Sequence, residues 1–408
     1  MPRLPPIRLQ LGAGDVSPSY AGMVAADEPE AVLVARDILK AGGTAADAAA
    51  AMGFALTVTL PSSAGLGGSG ACVVHDAVSG TTEALDFTPR AAADTGAARY
   101  RAAIPALPRG LFALHAKYSK LPWAQVVAPS EKLARFGHTV SRAFAQDLTT
   151  DGGVLVNDTT ALKTFMTPRR QTLQIGDVNK QIDLATTLGR LRAPGELYAG
   201  TFGSEIEDAI VRAGGAITAA DLQGYVPQWV PAHGWDEGTA RIFALPTEVG
   251  GGDFQNAFAA PSLPPDEATS SGATSFVVAD DAGSAVACAV GMGRPFGLGI
   301  MPPGAGFLLA PSPEMPGAHH SLAAVIAINN TNNKLTLAAA AAGDEAISRT
   351  AALAHTIIVD RRAPFAETAI QRRGSLVNML TCRLVESTCR VQNDPAGAGY
   401  AVAANPKE

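Results

Sequence analysis

The chain is poor in charge, in aromatic rings and in cysteine. Charged residues make up 17% of its 408 residues, against roughly a quarter in average domains. With 31 Lys and Arg against 37 Asp and Glu, the net charge is −6. A nucleic-acid-binding protein shows a basic balance and basic runs, and neither is present. Low net charge together with 47% hydrophobic residues excludes a disordered chain. Aromatics are only 6%, and much of the apolar content is alanine, which predicts thin, closely packed interfaces. Four cysteines are too few for a disulfide scaffold. Cys72 and Cys288 lie inside apolar runs and are expected to be buried thiols. Cys382 and Cys389 lie near the polar C-terminus and could pair in an oxidising compartment. There is no C-x-x-C and no H-x-x-x-H, so no metal site is legible. No apolar run reaches about 18 residues without polar interruption, so no membrane span is expected. Met1 to Tyr20 carries Arg3 and Arg8 but no continuous apolar stretch, and does not read as a signal peptide.

What is present is a folded chain of two or three domains, or one large one, at roughly 150 residues each. Glu28–Ala41 reads as a helix, with Ala31, Val34, Ala35 and Ile38 at spacings of three and four. Gly42-Gly43 ends it. Thr44 N-caps a second helix, Ala45–Leu60, with Asp47 as its acidic partner, and Pro61 stops it. Ala21–Ala26 reads as a strand, and Ala71–His75 with Glu83–Phe87 as a hairpin. Gly110–Tyr118, Trp123–Phe136 and Gly203–Gly214 read as helices, and Thr218 with Asp221 as another helix start. Residues 145–200 give mixed signals. Residues 247–272 are the clearest linker. Ala240–Leu245, Ser275–Ala279, Ser284–Val290 and Ala305–Ala310 read as strands. Ala323–Ile328 and Lys334–Ala340 read as a hairpin. Strand-rich stretches alternating with helix pairs predict an α+β, layered-sheet architecture.

Gly65-Leu-Gly67-Gly-Ser-Gly70 matches G-x-G-x-x-G. A helix precedes it and a strand follows, the reverse of a dinucleotide site, so it reads as a tight turn. The nucleophile elbow G-x-S-x-G fails because Ala71 stands where its last glycine would be. His319-His320 reads as a surface pair, and Arg169-Arg170, Arg361-Arg362 and Arg372-Arg373 as solvated faces.

An ordered set of segments carries more. It comprises Gly22-Met-Val-Ala-Ala26, Ala41-Gly-Gly-Thr-Ala-Ala-Asp-Ala-Ala49, Leu60-Pro-Ser-Ser-Ala-Gly-Leu-Gly-Gly-Ser-Gly70 and Leu85-Asp-Phe87. Pro108-Arg-Gly-Leu-Phe-Ala-Leu-His115, Leu121-Pro-Trp123, Gly215-Ala-Ile-Thr218 and Asp221-Leu222 follow. Then come Ala273 through Val286, Phe296-Gly297 and Pro303-Gly-Ala-Gly-Phe-Leu-Leu309. In this order, from about residue 21 to about 360, the chain resembles the γ-glutamyltransferase (γ-glutamyltranspeptidase, glutathione hydrolase) family. The resemblance implies an N-terminal-nucleophile hydrolase with a four-layer αββα sandwich, made as one precursor that cuts itself before a Thr. Residues 1–273 would correspond to the large subunit and 274–408 to the small one, together one compact unit. The new Thr hydroxyl attacks the γ-glutamyl carbonyl, and its own α-amine, titrating near ~8, takes the proton. No cofactor or metal is implied. The ligand would be a small γ-glutamyl or peptide-like molecule, and relatives are usually periplasmic or secreted. The sequence does not specify an oligomeric state.

The sequence also departs from the family. The nucleophile segment there looks like T-x-H-(F/Y)-S-V-V-D-x-x-G-x-A-V. Asp280, Gly283, Ala285 and Val286 match, but an ungapped alignment puts the nucleophile on Ala273 and leaves Thr274 one residue late. Thr274 is the candidate nucleophile only if the strand slips by one, which turns every side chain to the other face. The family's supporting Thr and glutamate-binding Asn fall on Gly291 and Gly293, and its Ser-Ser pair on Ala323 and Ala324. Its oxyanion Gly-Gly pair falls on Gly343 and Asp344, a carboxylate where negative charge should develop. The substrate-carboxylate Arg falls on Thr88, with Arg90 able to substitute. The residue gripping the substrate amine falls on Met315 or, shifted by one, Glu314. Two expectations follow: a catalytically impaired or inactive, uncleaved member, or an active γ-glutamyl hydrolase or transferase using an autoprocessed Thr274.

Overall fold

The structure is a computed structural model. It describes residues 13–15, 21–94, 96, 98–193, 200–262, 272–318, 321–363, 375–383 and 388–404. The strands are β1 (Ala13–Asp15), β2 (Gly22–Ala26), β3 (Ser69–Asp76), β4 (Thr81–Phe87), β5 (His138–Thr139), β6 (Val178–Asn179), β7 (Gln228–Pro231) and β8 (His233–Glu237). They continue with β9 (Ala240–Ala244), β10 (Ala273–Asp280), β11 (Ala285–Gly291), β12 (Leu322–Asn329), β13 (Leu335–Ala342), β14 (Asn378–Arg383), β15 (Thr388–Gln392) and β16 (Tyr400–Ala404). The α-helices are α1 (Pro29–Lys40), α2 (Ala45–Thr59), α3 (Leu107–Tyr118), α4 (Trp123–Phe136), α5 (Arg142–Thr150) and α6 (Thr159–Phe165). After them come α7 (Ile182–Leu191), α8 (Gly200–Ala213), α9 (Ala219–Gly224), α10 (Thr247–Gly250), α11 (Phe254–Ala259) and α12 (Ala346–Ile358).

Two seven-stranded sheets carry the architecture, in the orders β1-β15-β14-β13-β12-β9-β8 and β16-β2-β10-β11-β3-β4-β7. Strand alternation sorts their side chains into three apolar layers. Ala25, Ala71, Val73, Val277, Ala287 and Ala289 of one sheet meet Ala324, Ile326, Ala338, Ala340 and Leu380 of the other. The opposite face of the β10 sheet turns Val24, Val74, Phe276, Val278 and Val290 to α1–α4. The opposite face of the β12 sheet turns Ile242, Val325, Leu337 and Met379 to α11 and α12. This is the four-layer αββα sandwich of an N-terminal-nucleophile hydrolase.

Alanine makes the close stacking possible. Helix α2 is buried along its whole length and packs against α1, α3, α4, β10 and β11. A helix surrounded on every side is apolar on every side, and its run of alanines with Gly53 lets neighbours such as Leu111 come close. Its start combines two devices. Thr44 and Asp47 form a reciprocal capping box, and Asp280 at the end of β10 accepts from the Ala45 amide at 2.9 Å. The other Asp280 oxygen accepts from Ser284 N in the β10–β11 turn, so the Asp-x-x-Gly match serves as a turn and helix anchor.

Several expectations are corrected. Cys72 and Cys288 are not free thiols: they sit opposite each other on β3 and β11 and form a disulfide. Both face apolar surroundings, but burial alone does not say which thiol stands across the ladder. Cys382 and Cys389, opposite on β14 and β15, form a second disulfide. Ala305–Ala310 is not a strand. It turns at Pro302–Ala305 and is held to the Gly65–Gly70 turn by an isolated parallel bridge between Gly67 and Leu309. The 247–272 linker contains α10 and α11 where described, and residues 145–200, where described, hold the end of α5 and all of α6 and α7. His319-His320 and Arg372-Arg373 lie outside the described residues. Among the described residues no helix is long and apolar enough to cross a membrane.

Candidate functional site

The positions singled out in the sequence gather at the end of the sandwich where β10 begins. Ala273 is the first residue of β10 and pairs with Gly291, the last of β11, which pairs in turn with Ser69, the first of β3. The three face the inter-sheet layer, where Ala273 packs. The Gly65–Gly70 turn closes this end. A Cβ at Gly68 would stand 2.6 Å from Gly291 O, so only glycine lets the turn approach the end of β11. Gly293 packs on Pro311, Pro311 bridges Ala102, and Ala103 bridges Ala91. One run of neighbours therefore joins Ala273 to the segments bearing Arg90 and Glu314.

Thr274 faces the other way. It alternates with Phe276 and Val278 in the helix-side layer, is 2% exposed, and its Oγ1 donates to Asp27 Oδ2 at 2.6 Å. Asp27 is the hub of a buried polar group. Its Oδ1 accepts from Asn378 Nδ2 at 2.8 Å, and the same amide donates to Ser275 O and Oγ at 3.0 Å. Ser275 Oγ donates to Ala340 O across the sheets. Burial pushes the Asp27 carboxyl from 3.8 up to about 6. Its hydrogen bonds from Thr274 and Asn378 pull against that, while Asp394 adds repulsion. Asp394 is itself held by Arg349 at 3.0 Å.

Arg90 lies over the Tyr225 ring, 4.9 Å from its centroid, and Tyr225 OH donates to Thr88 O. Thr88 Oγ1 donates to Asp86. Glu314 is exposed and faces Arg101 at 3.8 Å. Among the described residues, Thr274, Arg90 and Glu314 share no hydrogen bond or ion pair with one another. On the facing sheet, Ala324 lies in the inter-sheet layer and Ala323 in the outer one, while Gly343 N donates to Ser321 O.

Three polar residues of this end were not singled out from the sequence. Asp27 and Asn378 carry no local signal, because they meet across 351 positions. Arg294, between Gly293 and Pro295 in a chain poor in charge, had a faint one. Its Nε and Nη2 are buried and unpaired.

Comparison with known proteins follows from this geometry. Residues 31–259 match the model of the family described as Gamma-glutamyltranspeptidase, more than half of the chain. The glutathione hydrolase proenzyme of Escherichia coli K12 is 33% identical over 251 residues, 57% of this chain and 43% of that protein. The Bacillus subtilis 168 glutathione hydrolase proenzyme is 30% identical over 258 residues, again 57% and 43%. The matched stretch is thus less than half the length of these relatives. Among solved structures, a cephalosporin acylase from Bacillus halodurans superposes with a TM-score of 0.78 over 98% of both chains at 17% identity, a likeness of fold alone. The γ-glutamyltranspeptidase of Helicobacter pylori superposes with a TM-score of 0.54 at 27% identity, over 60% of this chain and 74% of that one.

Proposed function

Because the chain belongs to the γ-glutamyltranspeptidase family, we propose that it retains the family's sandwich without its N-terminal-nucleophile chemistry, and stays uncut. The observation that carries this reading is the pairing of Ala273 with Gly291 at the start of β10. Neither residue has a hydroxyl, so the aligned position offers no atom to attack a carbonyl and its partner offers no hydroxyl to support one. The parts 1–273 and 274–408 remain one polypeptide, with strands of both parts adjacent in both sheets. The ligand is a small γ-glutamyl or peptide-like molecule held at this end of the sandwich.

A second reading makes Thr274 the nucleophile of an autoprocessed γ-glutamyl hydrolase or transferase. Its support is the 2.6 Å hydrogen bond from Thr274 to Asp27, a carboxylate whose raised value suits proton transfer near neutrality. Against it, Thr274 faces the helix layer in an unbroken ladder with β11. Intact mass spectrometry after prolonged incubation separates the two. A single species of 41.7 kDa and no release from a γ-glutamyl anilide are expected. Two pieces split between Ala273 and Thr274, abolished by Thr274→Val, would overturn the first reading in favour of the second.

A further inference from the structure

We infer that Arg294 is the carboxylate anchor of this site, gripping a ligand side-on through Nε and Nη2. The inference deepens the proposed ligand class and rests on it. Arg294 follows Gly293 in the turn after β11. Gly272, one residue before β10, has φ +63°, and a Cβ there would fall 1.9 Å from Arg294 C. Met292 N donates to Gly272 O at 2.8 Å. The Arg294 backbone is therefore clamped against the chain that leads into Ala273.

The guanidinium is what lacks a partner. Nε and Nη2 are both buried without a hydrogen bond, and among the described residues Arg294 makes no ion pair. The neighbours fixed by packing around this turn are apolar or small: Gly272, Pro295, Phe296 and Pro311. The carboxylate in the turn after Pro311, Glu314, faces Arg101 instead. Burying charged donors without acceptors is costly, and native sites that keep such groups keep them for a reason. The two unpaired atoms are also a specific pair. Nε–H and Nη2–H point in parallel along one edge of the guanidinium, the fork that meets the two oxygens of a planar carboxylate. The residue as a whole is partly exposed, and the ligand would reach the buried fork by a turn of this side chain. Lysine at this position would supply the charge but not the fork.

The test is isothermal titration of the full chain in low-chloride buffer with L-glutamate, acetate and inorganic phosphate, on the wild type, Arg294→Lys and Arg294→Met. The wild type should bind L-glutamate and, more weakly, acetate. Arg294→Met should weaken L-glutamate binding about a hundredfold, the scale of two charge-assisted hydrogen bonds, and Arg294→Lys about tenfold. Arg294→Met should also melt higher than the wild type without ligand, because it removes an unpaired buried charge. A merely structural arginine predicts the reverse. Failure of the wild type to bind either carboxylate, binding of phosphate alone, equal affinity in Arg294→Met, or a lower ligand-free melting temperature in that variant would each overturn the inference. Self-cleavage seen by mass would sink the uncut reading and leave these binding outcomes to be judged separately.

Discussion

Replacing Asp27 by Asn should reverse a pH-dependent weakness at the centre of the sandwich. Asp27 is 7% exposed as a residue, and its buried carboxyl titrates at about 6 rather than 3.8 because burial disfavours its charged form. A folded-state value above the unfolded one means that the folded chain binds the extra proton between them. The stability this contributes is full below pH 3.8 and is lost as pH rises through about 6. Two pH units at about 1.4 kcal/mol each make this about 3 kcal/mol. Asparagine keeps the acceptor for Asn378, and the Thr274 hydroxyl can rotate to accept from the new amide, so the hydrogen bonds survive while the charge does not. Other groups titrate in the same window. Burial also raises Glu28 to about 7 and Asp147 to about 6, which adds to the loss. Burial lowers His138 to about 4, so the unfolded chain binds that proton more tightly and stability rises with pH there. The wild-type profile mixes these signs, and the difference between wild type and Asp27→Asn isolates Asp27. Urea midpoints from about pH 4 to about pH 8 should show the variant gaining about 2 kcal/mol of this on the wild type as pH rises. A flat difference, or one in which the wild type gains, would mean that the bonds from Thr274 and Asn378 outweigh burial, and the reasoning would be refuted.

Three further outcomes are expected. Cys382 and Cys389 are partly exposed, whereas Cys72 and Cys288 are fully buried. Reduction and alkylation of the folded chain should therefore label the first pair well before the second, and peptide mapping that finds Cys72 labelled first would contradict the burial argument. Gly68→Ala should cost about 2 kcal/mol or more, because its Cβ would meet Gly291 O at 2.6 Å, a backbone atom that cannot swing aside; a urea midpoint equal to the wild type would show that the turn has slack. Ala273→Thr alone should leave the chain at a single mass, since Gly291 still offers no hydroxyl across the ladder; the appearance of two pieces would show that the start of β10 needs only its first hydroxyl.

Helices with a strong local signal stood in the sequence nearly as they stand in the fold. Trp123–Phe136 matches α4 end for end, and the Thr44–Asp47 and Thr218–Asp221 pairs form the capping boxes they announce. Weaker signals misled. Ala305–Ala310 is apolar because it is buried in the helix-side core, and apolar content alone does not distinguish a strand from a buried turn. Strands β14, β15 and β16, and helix α12, went unread. Their strand residues include Thr381, Arg390 and Ala403, whose pattern makes sense only beside their partners β13, β1 and β2. The candidate site divided similarly. Ala273, Gly291, Arg90 and Glu314 could be named from the order of motifs, but Asp27 and Asn378 could not, and Arg294 carried only a faint signal.

The sequence by itself determined the family, the layered α+β class, the caps and the hairpins, because each rests on residues close together in the chain or on an ordered set of motifs. Only the tertiary structure decided which cysteine faces Cys72, which carboxylate holds Thr274 and which arginine stands unpaired. Those facts depend on strand registers set between segments hundreds of residues apart, such as Cys72 with Cys288 at a separation of 216. Local periodicity tells a side chain which face to take, but not what waits on the other side.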